Sequence, residues 1–489
     1  MKQTLKYLFA TGCFAALVTQ SVAQVQVQQA DVVVSSQDLR QTNAVVLQQV
    51  AFPSHAAGTF VVRFDGTCYA DSGDRMIMAA SHDRDWGVDD GNVGIEIANA
   101  NTESRGFSHT RIYTLAAGSD TFFAVGQNYV HTSGSGIASV YGSLTVEFWP
   151  ATGPVVGSSD FQWSGNLSGP QQQMDTLAVS NAPNGKVFIH VDGQAGSDPG
   201  DRIVCTANDA PSWLVGAGSV AFMSYSTSQR TNPYTHSRIR NASGAETYYA
   251  MGANVVDVSG SGNATFYGNL SAEFFPASGS AMIDNTELSM QGLNVRGGPV
   301  AMDSVTINAG SAGYALVLFD GYITSSPGDH ITLAASNTRG WTVNAGNTTV
   351  SALSSANPFN VFSHSRLYPV AAGTHTFYAV AENYIGTTGT GTINIDANLI
   401  VKYYPAVGVA IDELRRDMTF AIYPNPAAGY VIVHSSATDA GDITLQDLSG
   451  RTVRLQPSSA TDTRIDISDL PAGMYLVHQG DHVRKLVKE

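Results

Sequence analysis

The sequence predicts an all-β chain: three tandem antiparallel β-sandwiches, jelly-roll-like, followed by a small C-terminal β-sandwich. Three observations lead there. Apolar or alternating runs of five to eight residues, such as TFVVRFDG at 59–66, RMIMAAS at 75–81 and SLTVEFWP at 143–150, are rich in Val, Ile, Phe and Tyr and bounded by Gly, Asn, Asp or Ser. No stretch sustains a helical period. Forty-eight glycines and only 13% charged residues in 489 suit a turn-rich β-protein too long for one core.

The chain begins with a segment that reads as an export signal. Lys2 and Lys6 precede an apolar stretch over 7–18, and Ser21-Val22-Ala23 offers the small residues a signal peptidase reads. Cys13 after Gly12 raises a lipoprotein signal, but that would leave a stunted apolar region, so cleavage after Ala23 is the better reading. No stretch approaches the ~20 apolar residues of a membrane helix. The resulting division is 1–23 signal, 24–43 N-terminal segment, repeats at 44–171, 172–299 and 300–408, and a terminal domain at 409–489.

The repeats declare themselves by fixed offsets. Asp-Gly occurs at Asp65, Asp192 and Asp320, periods of 127 and 128, and nine residues later stands Asp74, Asp201 or Asp329. Twelve further on come Trp86, Trp213 and Trp341; His109, His236 and His364 lie 35 residues after the second Asp, each followed at the second position by Arg111, Arg238 or Arg366. Asn128, Asn254 and Asn383 precede a Gly-Ser/Thr-Gly by six residues, and the copies close on FWP, FFP and YYP. Each repeat is far longer than a solenoid unit and should own a core. The second departs most, with Arg240 for Tyr113 and Tyr368. Polar stretches between copies, such as that at 151–173, read as linkers or edge segments.

Two readings of the repeated polar residues stand side by side. As a ligand site, the carboxylates and imidazole would hold a sugar hydroxyl or a divalent cation, with the Trp stacking on a sugar ring. As structure, Asp-Gly at a strand end is turn chemistry, His and Arg at i and i+2 share a strand face where a carboxylate could pair with them, and Trp is core. No cofactor is called for, with calcium the one ion the acidic residues would suit. Cys68 and Cys205 sit at non-equivalent positions and read as small core residues rather than a disulfide pair. The net charge of −15, with Lys186 and Lys402 the only lysines between the signal and residue 412, argues against nucleic acid and anionic lipid.

The tail carries the most specific motif. Tyr423-Pro424-Asn425-Pro426-Ala427, Gly450-Arg451, Ile465-Asp466-Ile467-Ser468, Leu470-Pro471-Ala472-Gly473-Met474-Tyr475 and Lys485-Leu486-Val487-Lys488 follow in order. This segment resembles the type A C-terminal sorting domain of the type IX secretion system. The resemblance implies partnership with that machinery, export across the outer membrane of a Gram-negative cell, and surface attachment or release. Asp175-Thr176-Leu177 and Asp303-Ser304-Val305 are similar to the O-glycosylation acceptor of some bacteria with this route, which would modify Thr176 and Ser304. No Gly-x-Ser-x-Gly, His-Glu-x-x-His or phosphate loop occurs. A secreted or surface-bound, non-enzymatic adhesin or structural array is therefore the leading reading, its partners surface glycans or other surface proteins. A carbohydrate-binding protein with one site per repeat is the alternative, and a glycan- or polymer-degrading hydrolase the third.

Overall fold

The computed structural model describes residues 25–41, 43–87, 91–97, 103–131, 134–151, 153, 156–169, 171–212, 216–224, 231–257, 260–351, 359–383, 388–406, 420–423, 427–435, 442–447, 451–457, 462–479 and 482–488. The signal segment lies outside them. The chain forms two compact units, Met1–Val407 and Gly408–Glu489.

In the first unit the leading repeat contains β1 (Gln26–Asp38), β2 (Val45–His55), β3 (Gly58–Ala70), β4 (Asp74–Ser81), β5 (Val93–Glu96), β6 (Glu103–Leu115), β7 (Gly118–His131) and β8 (Ile137–Pro150). They pair antiparallel in two sheets ordered β1-β8-β3-β6 and β2-β7-β4-β5, the jelly-roll crossing. The second repeat has β9 (Val156–Asn166), β10 (Gln172–Ser197), β11 (Asp201–Asn208), β12 (Val220–Met223), β13 (Thr231–Asp257) and β14 (Asn263–Pro276). Here β10 and β13 each run through both sheets, so one six-stranded sheet, β12-β11-β13-β10-β14-β9, results. The third repeat returns to eight strands: β15 (Met282–Asn294), β16 (Val300–Ala309), β17 (Gly313–Ser325), β18 (His330–Ser336), β19 (Thr348–Ser351), β20 (Phe359–Val370), β21 (Gly373–Asn383) and β22 (Thr392–Pro405). Its sheets, β15-β22-β17-β20 and β16-β21-β18-β19, repeat the first order.

This pairing redraws the boundaries read from the sequence. β1 lies within the supposed N-terminal segment 24–43 but pairs with β8. β9, assigned to 44–171, pairs with β14, and β15, assigned to 172–299, pairs with β22. Each repeat therefore begins one strand earlier. The physical reason is that this strand is an edge with a largely exposed face, such as QVQQADVVVSSQD in β1, so its apolar signal is thin.

The Asp-Gly pairs also differ from their reading as strand-end turns. Asp65-Gly66, Asp192-Gly193 and Asp320-Gly321 stand inside β3, β10 and β17. Gly66 has φ 151°, and a Cβ there would meet the Tyr141 carbonyl at 2.2 Å and Gly142 Cα at 2.6 Å. The glycine lets two backbones approach closely inside the sheet.

Each repeat has its own core, centred on residues such as Phe60 and Phe148, Ile189 and Phe274, or Phe319 and Leu399. A further buried cluster draws on all three: Val61 and Trp149, Phe188 and Phe275, Leu316 and Tyr404. The closing aromatic of every copy thus packs between copies, with Trp149, Phe275 and Tyr404 centroids 5.4–6.2 Å apart. Burial of such rings is worth several kcal/mol each, on the order of the ~3–5 kcal/mol lost on truncation to Ala. Cys68 and Cys205 are buried free thiols in separate cores, and burial pushes Cys68 up to about 12.

The second unit has β23 (Phe420–Tyr423), β24 (Tyr430–Ser435), β25 (Ile443–Asp447), β26 (Thr452–Gln456), β27 (Asp462–Asp466), β28 (Gly473–Gln479) and β29 (His482–Lys488). Sheets β23-β24-β27 and β26-β25-β28-β29 enclose Val431, Leu445, Ile467, Val477 and Leu486. This is the small β-sandwich expected.

Gly66→Ala tests the close approach. It should destabilise the protein by at least the ~1–3 kcal/mol of an overpacked site, read as a lower melting temperature. A melt identical to the parent would show that the two strands are not held that close.

Candidate functional site

The repeated polar residues form three separate networks. In the first, His109, His236 and His364 are buried and accept, through Nδ1, the backbone N–H of Ala80, Ala207 and Ala335 at 3.0 Å in every copy. Nε2 of His236 and His364 faces the carbonyls of Ala217 and Ala345 at 3.2 and 3.1 Å. A carbonyl only accepts, so the proton resides on Nε2. Burial pulls both imidazoles down to about 4, against these hydrogen bonds. They tie the two sheets together as neutral rings.

The second network joins the repeats. Arg111 lies 3.5 Å from Asp160 in the second repeat, Arg238 lies 3.2 Å from Glu287 in the third, and Arg366 lies 2.9 Å from Asp31 in the first. The residue between His and Arg works at the same boundaries. Asp192 accepts from the Thr110 and Ser108 hydroxyls at 2.7 and 2.8 Å. Asp320 accepts from the Ser237 hydroxyl, and Asp65 accepts the Ser365 backbone N–H at 3.3 Å. First meets second, second meets third, and third meets first, so the ring closes with pseudo-threefold equivalence. Edge contacts follow the same cycle: the Gly94 N–H donates to Gln194 Oε1 and the Thr349 N–H to Thr67 Oγ1, both at 2.7 Å.

The third network pins a loop. Asp74, Asp201 and Asp329 accept from Asn128, Asn254 and Asn383 at 2.7, 2.8 and 2.5 Å and from the backbone N–H of Gly136, Gly262 and Gly391. The second Asp therefore holds the turn before each closing strand.

The tryptophans stand apart from all of this. Trp86 is partly buried over Ala79, Phe123 and Val125 and donates Nε1–H to Gln127 at 2.7 Å; Trp341 donates to Glu382 at 2.6 Å. Beside them Arg84 and Arg339 lie 5.1 Å from the Phe123 and Tyr378 ring centroids. Trp213 falls outside the described residues. Among the described residues, Asp, His, Arg and Trp of one repeat thus do not converge on a shared surface site. Among the described residues no group of three or more His, Cys, Asp or Glu is placed to hold a metal ion, calcium included.

Sequence reasoning missed the groups on the ring's axis. Glu147, Glu273 and Lys402 are equivalent positions, three residues before each closing proline, and meet with Lys402 Nζ 3.1 Å from Glu147 Oε1 and 2.6 Å from Glu273 Oε2. Arg63 and His190, also equivalent, are buried nearby. The Glu/Glu/Lys alternation at one offset was the available signal. Ser237, His190 and Asp192 even line up as a nucleophile–base–acid set, His190 Nδ1 2.8 Å from Ser237 Oγ and Nε2 3.0 Å from Asp192. All three are at most 1% exposed, and Ser237 also bonds Asp320, so they form an interface chain rather than a reactive site.

In the second unit Arg451 Nε lies 3.1 Å from Asp447, Leu470 packs on the core, Tyr475 donates to the Pro471 carbonyl at 2.8 Å, Gly473 opens β28 and Leu486 is fully buried. Tyr423 ends β23 and Lys485 lies on β29; Pro424, Asn425, Pro426 and Gly450 fall outside the described residues. Thr176 and Ser304 occupy equivalent exposed positions on β10 and β16.

Residues 421–489 match the family described as the secretion system C-terminal sorting domain. The type IX resemblance of the tail is thereby met, and the chain is an exported protein, secreted or held at the cell surface. No curated protein matches the chain. Among solved structures it is similar to a chain of Sulfolobus Turreted Icosahedral Virus at 11% identity, covering 78% of this chain and 91% of that one, with a TM-score of 0.18. PNGF-II in a C2 space group follows at 9% identity, 70% and 98% coverage and a TM-score of 0.23. An infectious bursal disease virus structure, Gx strain, gives 9%, 79% and 82%, and 0.18.

Burial pushes the Asp320 carboxyl up to about 7 and Asp65 up to about 6. A raised carboxyl contributes stability that is fully present below its unfolded value near ~4 and lost as pH climbs through the folded value. The depressed histidines act in the opposite sense, losing stability as pH falls from ~6.5 toward about 4. Asp320→Asn keeps an acceptor for Ser237 but cannot ionise. Its stability relative to the parent should rise by on the order of 2 kcal/mol between pH 5 and pH 8, measured by denaturant titration. A pH-independent difference would mean that Asp320 is not held neutral.

Proposed function

We propose that this exported protein is a non-enzymatic surface head: a rigid ring of three jelly rolls that acts as an adhesin or structural array. The observation that carries the reading is the use of the repeated Arg, Asp and Ser/Thr to fasten each repeat to the next. Residues that would have served three binding sites serve one assembly instead, which leaves loops and outer faces to meet partners. In this reading the signal is cleaved after Ala23, the type IX machinery of a Gram-negative cell takes the chain through its tail, and Thr176 and Ser304 accept O-linked glycans on the outer surface.

The triple variant Arg111→Ala, Arg238→Ala, Arg366→Ala removes two partly exposed pairs, each worth about 0.5–1 kcal/mol, and the pair of the buried Arg238, and leaves the tail intact. Cells carrying it should still present the protein to antibody but attach less well to surfaces and neighbouring cells, and the ring should be nicked faster by trypsin. Unchanged attachment alongside faster nicking would sink the rigid-head reading.

A second reading, glycan binding, is favoured by the two equivalent platforms of Trp86 with Arg84 and Trp341 with Arg339. A partly buried indole held by an internal hydrogen bond can stack on a sugar ring while a guanidinium reaches its hydroxyls. Glycan-array binding by the full chain that falls at least tenfold in Trp86→Ala/Trp341→Ala, with the melt preserved, is the expected result of this reading; binding indifferent to both changes removes it.

A further inference from the structure

The meeting of Glu147, Glu273 and Lys402 has a chemistry beyond an ion pair. Each comes from a different repeat and is at most 1% exposed. Lys402 Nζ is 2.6 Å from Glu273 Oε2, 3.1 and 3.3 Å from the Glu147 oxygens, and 4.0 Å from the Phe188 ring centroid. An amine and a carboxyl held 2.6 Å apart and out of water are placed for a proton to pass between them.

The two carboxyls are not alike. Glu147 accepts from the Tyr404 hydroxyl and has Arg63 Nη1 4.0 Å away. Glu273 has Lys402 on Oε2, while its Oε1 meets no donor among the described residues. Burial, then repulsion from Glu147, pushes Glu273 up to about 7. One acid is poised as a proton carrier and the other as an electrophile, with the amine between them and water excluded.

We propose that Lys402 and Glu273 condense into an amide that covalently joins the third repeat to the second, with Glu147 of the first repeat moving the protons. Glu147 takes one proton from the Lys402 ammonium, and the freed Nζ lone pair adds to Cδ of neutral Glu273. The second Nζ proton passes to the departing hydroxyl, the Cδ–OH bond breaks, and one water leaves. Lys402 ends as an amide nitrogen with a single proton, and Glu147 ends protonated. Nothing is oxidised or reduced. Holding amine and acid in contact in a dry site supplies the effective concentration that an acid and an amine lack in water. The bond would close a loop spanning 129 residues across the ring's axis and remove that loop's freedom from the unfolded chain.

The test is tryptic mass spectrometry of the purified full chain, denatured after its fold is checked by trypsin resistance and circular dichroism. The expected result is no cleavage after Lys402 and a branched peptide linking Lys402 to Glu273, lighter than the sum of its parts by one water. Lys402→Arg, which keeps the charge, should lose the branched peptide and remain folded. Glu147→Gln should fold with Lys402 and Glu273 intact yet form the link at least tenfold more slowly. A folded parent chain cleaved normally after Lys402, with no branched peptide, overturns the proposal and leaves an ion pair. If Lys402→Arg does not fold, the parent chain's own digest still decides.

Discussion

Closure of the ring is the constraint from which the rest of the first unit follows. A single jelly roll here would leave the closing aromatic of its last strand exposed: Trp149, Phe275 or Tyr404. Two repeats would cover part of that surface, and only the third contact, between third and first, covers it all. The contacts of Asp with the Thr or Ser between His and Arg (hydroxyl at two boundaries, backbone N–H at the third) and the Arg-to-acid pairs recur at each boundary with the same polarity. The same local geometry is thus satisfied three times by one chain, which is why triplication with fixed spacing is the form the sequence takes.

Burying charge at the centre of such a ring is a poor route to stability, since desolvation offsets most of the attraction. Its use lies in specification. Identical repeats would pair equally well in other orders or with another chain, as symmetric interfaces allow. Lys402 is paired with both Glu147 and Glu273 only when all three different copies meet, and Arg63, His190 and Leu318 likewise break the threefold equivalence at one position. The charge set rewards one arrangement and leaves an unpaired buried ion in the others.

Opposed titrations give this interior a further property. Carboxyls held neutral by burial lose stability on the alkaline side of the same interval in which neutral histidines lose it on the acid side. The two tendencies offset each other across mildly acidic to neutral conditions.

What the sequence determined by itself was local and periodic. Strand alternation and turn residues gave the all-β class and the jelly-roll units, fixed offsets gave the triplication, and ordered blocks from Tyr423 to Lys488 gave the sorting domain, because each rests on neighbours close along the chain. The first strand of each repeat escaped because an edge strand with an exposed face carries little apolar pattern. Asp65, Asp192 and Asp320 looked like turn residues because Asp-Gly is common in turns; only the approach of a second backbone shows why glycine is needed inside a strand. The repeated His, Arg and Asp were visible as a set, but their partners were decided by tertiary structure alone. A hydrogen bond from Ser237 to Asp320, or an ion pair between Lys402 and two glutamates, joins residues whose separation along the chain has no local signature. Those long-range contacts set what is buried, and burial turned candidate binding residues into the fastenings of a ring.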